Sequence, residues 1–141
     1  MYGPDVQNPC PMCSSIIGAL DGNATYIEQM ASIVVVAKSP IKRISEFTET
    51  RNWQAVKLAS SLNTNYNIDH YGEDEQGNQW PICNVFVKRE GEIYHSYATE
   101  LLHVKTEEGM NARHVDFMWP LYNYLDITPA GWGDFYPKLE F

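Results

Sequence analysis

A short apolar run restricts the fold of this 141-residue chain more than any other feature. Residues 33–37 read Ile-Val-Val-Val-Ala, with no polar residue among them. A strand with one solvent-facing side alternates apolar and polar residues, so this run predicts a strand that is buried on both faces. Such strands are typical of parallel sheets covered by helices on both sides.

Helical segments are predicted on both sides of this strand. The first covers 12–20 and ends at Asp21-Gly22, and a second helical piece covers 24–31. After the strand, Ser39 is interpreted as an N-cap, and the proline behind it fits a first helical turn. Apolar residues then recur every three positions and predict one buried helix stripe, formed by Ile41, Ile44 and Phe47.

The next part of the chain predicts an antiparallel hairpin. Residues 57–60 are interpreted as a short strand, and 63–80 as a long polar loop. Strands are predicted at 82–88 and 92–98, joined by a turn at Glu90-Gly91. In the second strand, alternation predicts one face with Ile93, His95 and Tyr97 and another with Tyr94, Ser96 and Ala98.

The last predicted helix covers 111–125 and bends at Pro120. Residues 126–141 are rich in glycine, proline and aromatic residues and are interpreted as a tail on the surface. The length suits one domain over 1–141, and 44% hydrophobic residues suffice for a packed core. The order of elements predicts an α/β or α+β sheet with helices on both faces. Of these, the α/β class, with a mixed sheet and flanking helices, is favoured.

Charge and cysteine content narrow the function. The net charge of -8 would repel nucleic acid at long range, so no nucleic-acid partner is expected. The longest apolar run is too short to cross a membrane, and no signal peptide is visible. Three cysteines are too few, and odd in number, for a secreted disulfide framework. These observations predict a cytoplasmic protein with no membrane partner.

The motif Cys10-Pro11-Met12-Cys13 carries the most specific chemistry. A thiolate attacks disulfides, whereas a free thiol with a pKa of about 8.5 is mostly protonated at neutral pH. A helix N-terminus stabilises the thiolate, and Cys10 stands just before a predicted helix. We therefore predict that Cys10 attacks a disulfide and that Cys13, one turn further, resolves the mixed disulfide. Met12 is expected to be exposed and to contact a substrate chain.

Other interpretations of the motif stay open. Inert thiols are one. Zinc is another, but Cys83 and the four histidines are not paired at ligand spacing, so no metal or cofactor is expected. A thiol peroxidase is a further alternative, although the proline and threonine that mark peroxiredoxins are absent before both motif cysteines. The last is a non-catalytic interaction module whose acidic loop, residues 69–75, binds a basic partner or a cation.

The sequence resembles the domain-of-unknown-function 899 family, described as thioredoxin-like, predicted dithiol–disulfide oxidoreductases. The resemblance covers nearly the whole chain and is most specific in Met1-Tyr2-Gly3-Pro4-Asp5 before the cysteine motif and in Tyr124-Leu125-Asp126-Ile127-Thr128-Pro129. It implies a thioredoxin-like fold and a thiol or disulfide substrate. Thioredoxin-like proteins also carry a cis-proline that binds substrate beside the dithiol, and Pro81 is the residue placed for that role.

The resemblance also reveals a departure at the N-terminus. Family members have an apolar central strand before their counterpart of Met1-Tyr2, where this chain begins. Without that strand, the predicted strands at 33–37 and 82–88 lack a shared neighbour, which leaves buried backbone groups unpaired. Three explanations follow: an N-terminally truncated domain, a strand supplied by another copy in a homo-oligomer, or a rearranged sheet. The first is favoured.

Overall fold

A computed structural model describes residues 3, 5–101, 108, 118–131 and 133–139. The described chain contains helices together with one parallel and one antiparallel sheet, which confirms a mixed α/β structure. It forms two compact units, one from Met1–Asn63 with Asp116–Phe141 and the other from Thr64–Val115. The elements are α1 (Pro11–Ile27), β1 (Val34–Ala37), α2 (Ile41–Thr50), β2 (Lys57–Ser60), α3 (Tyr66–Asp69), β3 (Ile82–Arg89), β4 (Glu92–Glu100) and α4 (Pro120–Asp126).

Helix α1 is longer than the sequence predicts. It continues through Asp21-Gly22 to Ile27, so the predicted helix end at these two residues is wrong. The Asp21 carboxylate accepts hydrogen bonds from the backbone N–H groups of Ala55 and Val56, at 2.8 and 2.9 Å. A glycine inside a helix costs only about 1 kcal/mol relative to alanine. Tertiary contacts of this kind offset that cost.

Strand β1 pairs in parallel with β2, from Val34 opposite Lys57 to Ala37 opposite Ser60. The parallel pairing and the strand at 57–60 are confirmed. Burial on both faces is wrong, because Val34 is 53% exposed. The described strands form two small sheets rather than one mixed sheet, so β1 has β2 as its one described neighbour and its N-terminal end stays open to solvent.

The core of the first unit lies between α1 and the parallel strands. Ile17 and Ala24 of α1 pack with Val56, and the partly buried side chains of Val35 and Leu58 cover this cluster. Burying an aliphatic side chain contributes about 1.5–3 kcal/mol, so the cluster holds the helix against the sheet. Because α1 is one continuous helix, packing of its middle and C-terminal part also fixes the position of its N-terminus.

Helix α2 buries part of the predicted stripe. Ile44 is 1% exposed, whereas Ile41, in the first turn, points into solvent. Pro40 occupies the N-cap position, so the interpretation of Ser39 as the cap is wrong. Ser39 is buried instead, and its carbonyl accepts a hydrogen bond from the Ser60 hydroxyl at 2.7 Å.

The second unit contains the antiparallel hairpin of β3 and β4, as predicted. Its turn residues Glu90 and Gly91 both have positive φ, at 53° and 91°, which suits the tight turns that follow the strand twist. Within residues 63–80, which the sequence predicts as loop, the short helix α3 forms and Glu73 bridges to Gln79.

A β-bulge in β4 makes the two faces of that strand differ from the predicted ones. Val85 pairs with Tyr97 and the next residue, Phe86, pairs with His95, so Ser96 is the extra residue. Neighbouring residues of β3 point to opposite faces, and their partners do the same. The prediction that His95 and Tyr97 share a face is therefore wrong.

Helix α4 begins at Pro120, which occupies the first helical turn. A proline there loses no helical hydrogen bond. The predicted bend involves the part of the predicted helix before Pro120 and stays a prediction. The remainder of the predicted helix, 111–117, lies outside the described residues. None of the helices in the described part of the chain is long and apolar enough to cross a membrane.

Candidate thiol site at the start of the first helix

Cys10 is the N-cap residue of α1. Its backbone is extended, with φ -69° and ψ 123°, and its sulfur accepts a hydrogen bond from the Cys13 N–H at 3.4 Å. Pro11 follows in the first helical turn, where its fixed φ suits the helix. The prediction that Cys10 stands immediately before a helix is confirmed.

The electrostatics of this helix start favour an anionic sulfur. The first turn carries unpaired N–H groups and a partial positive charge of about half an elementary charge. No Asp or Glu lies in this first turn, so no carboxylate competes for its N–H groups. The side chain of Cys10, at the N-cap, takes the position in which these groups would bind an anion. A thiolate there is stabilised both by the dipole and by the hydrogen bond from Cys13.

Ser14 fixes the backbone of Cys10. Its N–H and its hydroxyl both donate to the Cys10 carbonyl, at 2.9 and 2.8 Å, and its side chain is buried. Two donors on one carbonyl restrict rotation about the Cys10 backbone and so restrict where the sulfur can lie. Ser14 is not identified by the sequence analysis. The only local indication of its role is that a serine stands one turn after the N-cap residue.

Cys13 and Met12 lie within the same first turn as the N-cap. All three cysteines of the chain are half-buried thiols. The structure thus brings Cys10 and Cys13 together at one helix start, with Cys13 at the third helical position. Met12 is half-buried too, so the expectation of a fully exposed side chain is wrong.

Arg43 of α2 holds the segment that leads to Cys10. Its guanidinium donates to the carbonyl oxygens of Val6 and Gln7, the latter at 2.6 Å, and lies 3.5 Å from that of Gly3. The planar guanidinium carries five donors in a rigid fork, which suits several carbonyls at once. The contact spans 36 to 40 residues, so local sequence patterns contain no sign of it.

A cleft of about 240 Å³ opens beside this segment. Its wall on one side is the segment itself, and the other side is α2. A cationic and an anionic side chain face it together with one aromatic ring, from the lining residues Gln7, Pro9, Arg43, Glu46, Phe47 and Thr50. Pro9, the residue before Cys10, therefore forms part of the wall of the cleft.

The start of α1 also contacts α4. The indole N–H of Trp119 donates to the Ser15 hydroxyl at 3.2 Å, and Trp119 is buried against the Tyr122 ring at 4.3 Å between centroids. Ser15 lies two residues after Cys13, so this contact ties the second turn of α1 to the N-cap residue of α4.

The family profile described as "Bacterial protein of unknown function (DUF899)" matches residues 1–138. The chain belongs to this family. The resemblance to the domain-of-unknown-function 899 family is thus confirmed over nearly the whole chain. No curated protein and no solved structure matches the chain.

In this DUF899 member, Pro81 and Cys83 belong to the second unit. Pro81 directly precedes β3, its carbonyl accepts a hydrogen bond from the Leu101 N–H at 2.8 Å, and the peptide bond before it is trans. The expected cis bond is therefore wrong, and a role of Pro81 in binding substrate stays a prediction. Burial raises the pKa of the Cys83 thiol, which favours the neutral form and an inert role.

The two described histidines of the second unit, His70 and His95, pack as rings. The His95 ring stacks on Phe86 with 4.8 Å between centroids, and the His70 ring meets His95 edge-on at 5.3 Å. Among the described residues, no three metal-binding side chains come together. These contacts explain the two histidines as packing residues of the hairpin.

The acidic loop of this DUF899 member uses a carboxylate internally. Asp74 accepts hydrogen bonds from Asn78, from the Trp80 indole at 3.2 Å and from the Gln76 N–H. The Asn78 side chain contributes most to lowering the pKa of the Asp74 carboxyl. The Asp74 carboxylate is therefore used to fix the conformation of its own loop. This internal role weakens the interpretation of residues 69–75 as a binding site.

Proposed function

We propose that this protein is a thiol–disulfide oxidoreductase in which Cys10 is the attacking thiolate and Cys13 the resolving thiol. The single observation that carries the proposal is the Cys10 sulfur at the N-cap of α1, with the Cys13 N–H directed at it. Nucleophilic cysteines are activated by a helix N-terminus, because the thiolate is favoured there over the thiol. Inert cysteines need no such position.

The reaction runs in two exchange steps. The Cys10 thiolate attacks one sulfur of a substrate disulfide, so that a mixed disulfide forms and the other substrate sulfur leaves as a thiolate. Cys13 then loses its proton to water and attacks the Cys10 sulfur, which releases the second substrate thiolate. The protein is left with a Cys10–Cys13 disulfide, and a dithiol reductant returns two electrons and two protons. The reverse sequence oxidises a dithiol substrate.

The cleft next to the segment before Cys10 supports a peptide disulfide or the disulfide of a small thiol as the substrate. The cleft beside residues 5–9 offers Arg43 and Glu46 as opposite charges and Phe47 as an apolar surface. A chain fragment with a carboxylate or an amino group finds a partner there. Rigid support by Arg43 and Ser14 keeps the sulfur in a fixed direction, which lowers the entropy cost of attack.

The local order of elements also supports a thioredoxin-like fold for this unit. The dithiol opens α1, and a parallel β1–α2–β2 unit follows it. We therefore include the thioredoxin-like architecture in the proposal. Its test is an experimental structure, in which one mixed sheet containing both β1 and β3 would support it and two separate sheets would contradict it.

The function is tested by single cysteine variants in an insulin-reduction assay with dithiothreitol. Cys10→Ser is expected to abolish turnover, because no attacking thiolate remains. Cys13→Ser is expected to stop after the first step and to accumulate a mixed disulfide that intact-mass measurement detects. Cys83→Ser is the matched control, since this thiol is neutral and partly buried, and it should keep turnover.

The rate of alkylation by iodoacetamide supplies a second test. In the wild-type protein, Cys10 should react at a pH well below the range in which a free cysteine with a pKa of about 8.5 reacts. Ordinary alkylation of Cys10 together with full turnover of Cys10→Ser would refute the proposed function.

A further inference from the structure

A second cleft, the hairpin cleft, has a volume of about 440 Å³ and belongs entirely to the second unit. It lies at the end of the hairpin that is opposite the turn. Ile82 of β3 pairs there with Glu100 of β4, and side chains of paired residues point to the same face of a sheet. The cleft is lined by Tyr71, Trp80, Ile82, Ala98, Thr99 and Glu100.

Glu100 brings an unused hydrogen-bond acceptor to the hairpin cleft. Its Oε1 atom is buried, and no group in the described part of the chain forms a hydrogen bond with it. The backbone carbonyl of Glu100, in contrast, accepts a hydrogen bond from the Thr99 hydroxyl at 3.3 Å. A buried oxygen without a donor is costly, above all on a charged group. A ligand that donates to Glu100 would remove this cost.

The described lysine and arginine of the second unit lie too far away to neutralise Glu100. Lys88 and Arg89 stand at the turn end of β3, whereas Glu100 pairs with Ile82 at the other end. At about 3.3 Å per residue, the strand separates the two ends by about 20 Å. The net charge of -8 also attracts cations at long range. A positively charged ligand therefore suits this cleft.

The two aromatic residues of the lining suit a cation as well. Tyr71 is 71% exposed and has a φ of 61°, a left-handed conformation that is uncommon for a bulky residue and is found at ligand-binding sites. The Trp80 indole N–H donates to Asp74 at 3.2 Å, which fixes the orientation of this ring. The faces of tyrosine and tryptophan rings attract ammonium groups.

We propose that the hairpin cleft binds a primary ammonium group carried on a short alkyl chain. The ammonium donates a hydrogen bond to Glu100, and its alkyl chain lies against Ile82 and the aromatic rings. A metal ion needs several ligands, and nowhere among the described residues do three metal-binding side chains come together. The site goes beyond the proposed function, because it uses neither Cys10 nor Cys13.

The test is an NMR titration of the full chain at pH 7 with butylammonium chloride. The Trp80 indole N–H signal, identified by its loss in Trp80→Phe, should shift on binding. Two comparison probes are 1-butanol, which has the same chain without the charge, and tetramethylammonium, a cation without N–H donors. Both should bind at least about tenfold more weakly than butylammonium, because neither can form a charged hydrogen bond with Glu100.

Two pairs of variants locate the ligand. Glu100→Gln keeps the size of the side chain, removes its charge and should weaken butylammonium binding by about tenfold. Glu92→Gln makes the same change at an exposed residue at the other end of β4 and should leave the dissociation constant unchanged. Tyr71→Leu should weaken binding about two- to fivefold, whereas Tyr94→Leu, at a tyrosine outside the cleft, should not.

Three results would overturn the inference. They are an unchanged Trp80 signal, equal affinity of the wild-type protein for butylammonium and 1-butanol, and equal affinity of the wild type and Glu100→Gln for butylammonium. If Glu100→Gln is unfolded in a thermal scan, the three probes on the wild-type protein decide alone. Cys10→Ser should bind butylammonium like the wild type, so a failure of the proposed function would leave this site standing.

Discussion

The two units differ in how far along the chain their stabilising contacts reach. In the first unit, several side chains bind partners far away along the chain, from 34 residues for Asp21 with Ala55 to 104 for Trp119 with Ser15. In the second unit, the Ser96 hydroxyl binds the Val85 carbonyl 11 residues away, and Asp74 binds within its own turn. Two of the distant contacts, those of Arg43 and Trp119, lie next to the thiol site, whereas the contacts of the hairpin join residues that are close along the chain.

Burial follows the same division. The first unit has an apolar cluster around Ile17, Ala24 and Val56. In the second unit, residues 92–98 of β4 are all exposed. A reactive thiol has to be held in one direction to be effective, and a unit with a packed core and distant anchors can hold it. The hairpin has an exposed strand β4 and contacts between residues that are close along the chain. Such a region can move more without loss of the fold.

The largest change in the free energy of unfolding is expected when an isoleucine is replaced by alanine in the first unit, and the same replacement in the second unit provides the comparison. Ile44→Ala removes a side chain that is 1% exposed and should lower the free energy of unfolding by about 2–5 kcal/mol. Ile93→Ala makes the same change in β4, at a side chain 72% exposed, and should cost less than about 1 kcal/mol. Urea unfolding followed by circular dichroism measures both. Equal losses would contradict the division.

A medium effect is expected at the anchor between α1 and β2. Asp21→Ala removes the acceptor for the Ala55 and Val56 N–H groups and should lower the free energy of unfolding by about 1–3 kcal/mol at pH 7. The exposed Glu49→Ala is the control and should change it by less than about 0.5 kcal/mol. Urea unfolding at pH 7 compares the two, and equal losses would mean that the anchor contributes little.

The same anchor predicts a pH dependence with a definite sign. Partial burial would raise the pKa of the Asp21 carboxyl, but hydrogen bonds from Val56, Ala55 and Gln54 together hold it below its ordinary 3.8. Its stabilising contribution is therefore complete above pH 3.8 and is lost as the pH falls through the lower folded value. Unfolding of the wild type and of Asp21→Asn should accordingly converge at low pH. A difference that grows on acidification would contradict this sign.

The smallest effect concerns two glycines that have opposite backbone requirements. Gly22 lies inside α1 with open space where the methyl group of an alanine would stand, so Gly22→Ala should stabilise the protein by about 0.5–1 kcal/mol. Gly91, in the hairpin turn, has φ +91°, so Gly91→Ala should destabilise it by about 1 kcal/mol. Thermal unfolding measures both signs. A destabilising Gly22→Ala would mean that α1 ends near Asp21 after all.

Sequence patterns predicted what depends on neighbouring residues. The strand at 57–60, the Glu90-Gly91 turn and the helix start after Cys10 all follow from short-range signals, and all are confirmed. The predicted end of α1 failed because the partners of Asp21 lie more than 30 residues away. The predicted faces of β4 failed at Ser96, because one extra residue reverses the alternation and leaves no mark in composition.

For the thiol site, the sequence by itself determined the two cysteines, their spacing, and the proline that begins the helix behind Cys10. These are local properties, since a helix N-terminus is formed by consecutive residues and its dipole acts within one turn. Only the tertiary structure decided which side chains hold the residues around the dithiol. Arg43 binds the Gln7 carbonyl and Trp119 binds the Ser15 hydroxyl from distant parts of the chain, because packing brings together residues whose separation along the chain carries no periodic signal.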